Sequence, residues 1–250
     1  MDLRSTLLVI GGSACSFKLL NLIVRFLPAP QTARKKAWKW RNTSTSLVHS
    51  SLTGAWAVLC LYHQPQMLED VISSCSTFSH SLVSVSTGYF IHDFLDTALN
   101  QPFKKSWEVL LHHFVVTSCF SLAITSRLYL GFSVASLLME INSVFLHIRQ
   151  LLLLSGQRNR SGTEITAPRS SVTYSMTSWL CLGTLLVFRV SIAAWMARWL
   201  AAAYSKQIPR YVLMTGTVGL SFISTMNIGL FYKLFRADIL TKTHNTSKNH

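Results

Sequence analysis

Two carboxylates and two imidazoles stand close together along the chain, in stretches that otherwise avoid water. The segment GYFIHDFLD, residues 88–96, carries His92, Asp93 and Asp96. The segment SWEVLLHHFVVTS, residues 106–118, carries the adjacent pair His112 and His113. On helices, Asp93 and Asp96 share a face at a spacing of three, with His92 one turn from Asp96. His112 and His113 point about 100° apart, so they cannot do the same job. A carboxylate beside one imidazole would hold it in one tautomer and leave its other nitrogen basic and nucleophilic. The other use of such a histidine pair is to hydrogen-bond across helices and stabilise a bundle. Spacing alone leaves both readings open.

The elements that position these groups follow from composition. Half of the 250 residues are hydrophobic and only 13% are charged, about half the usual charged fraction. Such a chain suits lipid as its solvent. Apolar runs predict spanning helices at roughly Thr6–Leu27, Leu47–Tyr62, Phe78–Asp96, Trp107–Ser126, Leu130–Leu154, Met176–Ala203 and Tyr211–Leu234. Most reach the ~20 residues needed to cross hydrocarbon. The expected fold is therefore an all-α polytopic membrane bundle of seven transmembrane helices, or six if the first is a cleaved leader. Residues 1–34 form the first helix and its basic connection, 35–235 the main domain, and 236–250 a polar tail expected to be disordered.

A formal charge of +14 invites a nucleic-acid partner, but its placement argues against one. Arg34, Lys35, Lys36, Lys39 and Arg41 lie in the first connection and Lys104 and Lys105 in the third. Arg149, Arg158, Arg160 and Arg169 flank or occupy the fifth, and Lys233, Arg236, Lys242 and Lys248 close the chain. The alternate connections carry far fewer. This is the positive-inside pattern of a protein with its N-terminus outside and its tail in the cytoplasm. Sequons at Asn42, Asn159 and Asn245 fall on the cytoplasmic side and are expected to stay unmodified. The last residues form no dilysine or KDEL-type retrieval signal. The expected compartment is the cell membrane, with the endoplasmic reticulum as the alternative.

Polar groups inside spans are costly and face a bundle interior or a cavity. In LLMEINSVFLHIRQ, Glu140 lies near mid-membrane, Asn142 deeper and His147 near the cytoplasmic exit. Arg189 sits mid-span in LLVFRVSI, and Asn227 in the seventh span. Glu140 and Arg189 are natural partners that would lock the fifth and sixth helices together, and Asn227 an interhelical hydrogen-bonder. No HxxHH or HExxH spacing supports a metal centre, and no nucleophile elbow supports Ser-His-Asp catalysis. The five cysteines read as small buried hydrophobes.

In order, GYFIHDFLD, SWEVLLHHFVVTS, LLMEINSVFLHIR and FRV resemble the TLC-domain family, whose membrane domain is shared with ceramide synthases. The resemblance covers roughly residues 35 to 235. Ceramide synthases use paired histidines to transfer an acyl chain from acyl-CoA to a sphingoid amine, which implies catalytic roles for His112 and His113. Asp93 and Asp96 match the preceding acidic positions, with a longer loop before the histidines here. Nearer members of the family imply a plasma-membrane protein that adjusts phospholipid composition and fluidity and limits polyunsaturated chains. Two functions remain in competition: a regulator acting through phospholipids, acyl chains or partners, and an acyltransferase with acyl-CoA as co-substrate. No other cofactor is implied.

Overall fold

A computed structural model describes residues 2–157, 172–203 and 209–237, with the side chain of Val212 outside that description. The polar insertion after the fifth span, with Asn159, and the tail with Asn245 lie outside the described residues. Among the described residues there is no strand. Seven long helical rods follow one another among these residues. They are α1 (Leu3–Phe26), α2 (Ala37–His63), α3 (Thr77–Asn100), α4 (Phe103–Ser126), α5 (Leu130–Leu154), α6 (Val172–Ala203) and α7 (Arg210–Phe235). The fifth breaks between Leu137 and Glu140, and the sixth contains a π-helical turn at Leu185–Val190.

Local chemistry sets several of these ends. Ser76 caps α3 by accepting from the Ser79 N–H at 3.1 Å, while Ser79 Oγ accepts from Ser76 N–H, a reciprocal capping box. Gln101 is extended ahead of Pro102, and Pro102 opens α4 because its missing N–H would be unpaired there in any case. Helix α4 ends where Arg127 enters the left-handed region at φ 55°.

Five rods, α1 and α4 to α7, contain stretches long and apolar enough to cross a membrane. The other two, α2 and α3, are long enough but polar. Of these, α3 is enclosed, packing against α1, α2 and α4, whereas α2 turns its polar residues inward and exposes Val48, Leu52, Val58 and Leu59 on its outer face. The contact of α1 with α3 is close: a Cβ at Gly88 would run into Ile10 O and Ser13 Cβ. Ser13 Oγ donates to Val85 O at 2.6 Å across the same crossing. Phe17 then meets the rings of His49 and Tyr89 edge-on. The first rod is thus packed into the bundle.

Two contacts bring the basic connections to one face. Thr32 Oγ1, before α2, donates to Leu154 O at the end of α5 at 2.9 Å. Lys233 near the end of α7 meets Glu108 near the start of α4 at 2.7 Å. This is the face that the positive-inside rule would assign to the cytoplasm.

Candidate functional site

Helices α3 and α4 are antiparallel neighbours joined by Gln101 and Pro102, which brings Asp93 to His113. His113 Nε2 lies 3.3 Å from Asp93 Oδ2, and both residues are buried. The second carboxylate oxygen, Oδ1, accepts from Asn42 Nδ2 on α2. An acceptor-only carboxylate held in this way favours the His113 tautomer with its proton on Nε2. Nδ1 of His113 then keeps its lone pair, and it is buried with no hydrogen-bond partner. One of the paired imidazoles therefore has the oriented, basic form that acid–base work requires.

His112 looks elsewhere. Its ring centre is 5.5 Å from that of His113, with the planes inclined at 53°. Both rings, with Asp93, line a cavity of about 310 Å³ bounded by α2 to α7. Helix α4 begins at Phe103, four residues before Trp107. His112 sits nine residues into a 24-residue helix, roughly 14 Å of rise.

Asp93 and Asp96 part company. Asp96 Oδ2 accepts from Trp38 Nε1 on α2 at 2.8 Å, and its backbone and side-chain oxygens accept from Asn100. Neither Asp96 nor His92 lines the cavity, although both are buried. Asp96 fastens α3 to α2 one turn below the contact made by Asp93. The structure brings together His112, His113 and Asp93 and leaves Asp96 outside that group.

Across the cavity, Glu140 and Arg189 do not form the expected ion pair. Their charged atoms are not within 4 Å of one another; Glu140 Oε2 instead accepts from Ser50 Oγ at 2.6 Å. Arg189 donates to three neutral oxygens: Nε to Asn142 Oδ1 at 2.7 Å, Nη1 to Asn227 Oδ1 at 2.8 Å and Nη2 to Ser143 Oγ at 2.8 Å. Asn142 turns its amide the other way, donating to Cys181 O and Thr184 Oγ1. Arg189 thus ties α5, α6 and α7 together, with Asn227 serving as an interhelical acceptor. The physical reason is that each charged group meets neutral partners on other helices, Glu140 on α2 and Arg189 on α5 and α7.

Above the polar chamber lies an apolar annex of about 120 Å³. Val116, Phe120, Ser136, Met139 and Ile223 line both spaces. The annex continues towards the outer end between α4, α5, α6 and α7, past Leu200, Leu213 and Gly216. A hydrocarbon chain in the annex would present its head to the imidazoles. Among the described residues, no three His, Cys, Asp or Glu side chains converge as a metal would require.

Several participants were not singled out for the site by sequence: Asn42, Ser46, Ser50 and Tyr89 all line the chamber, and His147 joins them. Tyr89 stacks on the fully buried ring of His49 with centroids 3.6 Å apart. The signal was a stripe, since Asn42, Ser46, His49, Ser50 and Thr53 recur at helical spacing. The Asn42 sequon is occupied in the bundle, its amide engaged by Asp93.

Comparison with known proteins agrees with this arrangement. The TLC domain matches residues 39–236. TLC domain-containing protein 2 of Danio rerio is 48% identical over 240 residues, 96% of this chain and 93% of that protein. TLC domain-containing protein 2 of Homo sapiens is 41% identical over 245 residues, 98% and 88% of the two chains. TLC domain-containing protein 1 of Mus musculus is 29% identical over 231 residues, 91% and 87%. No solved structure gives a significant match. The paired histidines, the polar chamber and the apolar helices around it are therefore features of a multi-pass membrane protein that belongs to the TLC domain family.

Proposed function

We propose that this protein sets the acyl composition of membrane phospholipids, and with it membrane fluidity, by acyl transfer at His113 and Asp93. The family resemblance supplies the direction, a limit on polyunsaturated chains, and the cell membrane as the place of action. One observation carries the chemistry. The Asp93–His113 pair faces a chamber that shares the walls Val116, Phe120, Ser136, Met139 and Ile223 with an apolar annex, so a reacting carbonyl and a hydrocarbon chain have adjoining places.

The step follows from the tautomer. His113 Nδ1 takes the proton of an acceptor hydroxyl or amine as that atom bonds to the acyl carbonyl carbon. The imidazolium formed is stabilised by Asp93, 3.3 Å from Nε2. When the tetrahedral adduct collapses, the carbon–sulfur bond of the thioester breaks and the thiolate takes the proton back from Nδ1. The products are an acyl ester or amide and a free thiol. The buried site keeps water from competing for the acyl group.

Wild type, His112→Ala, His113→Ala and Asp93→Asn proteins, matched for thermal unfolding, should be incubated with labelled acyl-CoA and lysophospholipid or amine acceptors. Product that forms in wild type and is lost with His113 supports the proposal. Equal product from His113→Ala overturns the chemistry. A folded His112→Ala/His113→Ala double variant that restores the lipid composition of deficient cells as well as wild type would leave a regulator without chemistry.

A further inference from the structure

Arg189 has no carboxylate within ion-pair distance, although it stands at mid-span in α6 and lines the chamber. A cation at this depth is costly and normally sits against an anion. Here its partners are the neutral oxygens of Asn142, Asn227 and Ser143. These use three of the five N–H groups that a guanidinium carries. Neutral amides alone would tie three helices together, so stapling does not account for keeping a charge that is expensive to bury. The π-helical turn at Leu185–Val190 is a second unusual feature at the same position, and such turns concentrate at functional sites.

We propose that Arg189 recognises and polarises the carbonyl oxygen of an acyl thioester or ester bound in the chamber. This rests on the acyl-transfer reading and adds the group that meets the developing charge. The surrounding charges narrow the ligand class. Asp93 and Glu140 line the same chamber, so a free fatty acid would bring a third carboxylate to one guanidinium. A thioester or ester carbonyl arrives neutral and becomes negative only as the acceptor adds. At that moment the carbonyl π electrons move onto oxygen, facing Arg189. On collapse they return, and the leaving sulfur departs with the carbon–sulfur bonding pair. Arg189 gains and loses no proton, and its part is electrostatic.

The test uses the full chain in lipid nanodiscs and two probes: oleoyl-CoA, and its thioether analogue of equal chain length lacking the carbonyl oxygen. Wild type is expected to bind the thioester about 10- to 100-fold more tightly, the worth of a hydrogen bond to a charged group. Arg189→Gln loses that preference while retaining the affinity for the thioether. Arg189→Lys keeps part of it, since the charge remains but the planar fork does not. His113→Ala keeps the preference and makes no product, which separates recognition from transfer. Equal binding of both probes by wild type overturns the role of Arg189 and needs no folded variant to show it. Loss of the preference in His113→Ala would assign the carbonyl contact to that ring instead and overturn the proposal. Binding of neither probe overturns both this inference and the acyl-transfer reading beneath it.

Discussion

Asp93→Asn isolates the electrostatic core of the proposed step at nearly constant volume. Wild-type Asp93 has two acceptor oxygens, one taken by Asn42 Nδ2 and the other facing His113 Nε2. An asparagine there has one acceptor and one donor end. With its oxygen towards Asn42, its NH₂ faces Nε2 and drives the imidazole proton to Nδ1, the position that must be basic. With its oxygen towards His113, two amide donors confront each other unless the Asn42 amide turns over. Either arrangement also removes the anion that stabilises the imidazolium. At 3.3 Å and an effective dielectric constant of about 20, that Coulomb attraction is ~5 kcal/mol. A charged hydrogen bond is worth a lower ~1.5–3 kcal/mol. At ~1.4 kcal/mol per tenfold, the turnover rate should fall by roughly 10- to 10⁴-fold. The assay is the initial rate of labelled product with saturating acyl-CoA, on variants shown by thermal unfolding to be folded. Asn42→Ala should lower the rate less, because the Asp93 charge stays in place. A folded Asp93→Asn protein within threefold of wild type would refute the role given to the pair.

Three further outcomes follow from the geometry. Gly88→Val forces α1 away from α3 at Ile10 and Ser13 and should destabilise the protein by about 1–3 kcal/mol, read as a lower Tm in detergent; an unchanged Tm would mean that the crossing is not tight. Gly216→Leu extends into the annex, where a Cβ first meets the flexible end of Leu200 at 3.3 Å. It should favour shorter acyl chains by roughly tenfold or more, measured by competition between thioesters of different length. The Glu108–Lys233 pair is well exposed, at 49% and 66% of the side-chain surface, so Glu108→Gln and Lys233→Gln should each cost no more than about 1 kcal/mol, and salt should reduce the effect.

Much of the fold was legible because apolar runs mark helices in lipid, and all seven expected spans appear as rods. The ends were less legible, most of all in α2. Its helix begins at Ala37, although the hydrophobic run begins only at Leu47. The intervening Asn-Thr-Ser-Thr-Ser stretch reads as a connection by composition. In the helix, Ser44, Thr45 and Ser46 each return a hydroxyl to the carbonyl four residues back, at Trp40, Arg41 and Asn42. Those bonds satisfy the hydroxyls inside the helix and remove the objection to burying them. In α4 likewise, Lys104 and Lys105 mark the connection by composition and yet form the first turn.

The candidate site was legible as a list of residues and much less so as a set of contacts. Spacing put Asp93 and Asp96 on one face, and both are buried. Which of them meets His113 depends on a few tens of degrees of rotation between α3 and α4, a quantity that no sequence period specifies. Glu140 and Arg189 illustrate the same limit. Opposite charges at similar depth are reason to expect an ion pair, but each of them meets neutral partners on other helices instead. The two helices of low hydropathy offer the better guide. Their polar residues must face protein rather than lipid, and the inward faces of α2 and α3 supply Asn42, Ser46, Ser50, Tyr89 and Asp93 to the chamber wall. In this bundle, low hydropathy in a helix long enough to span marks the wall of the chamber, because only the interior can satisfy the groups that lower it.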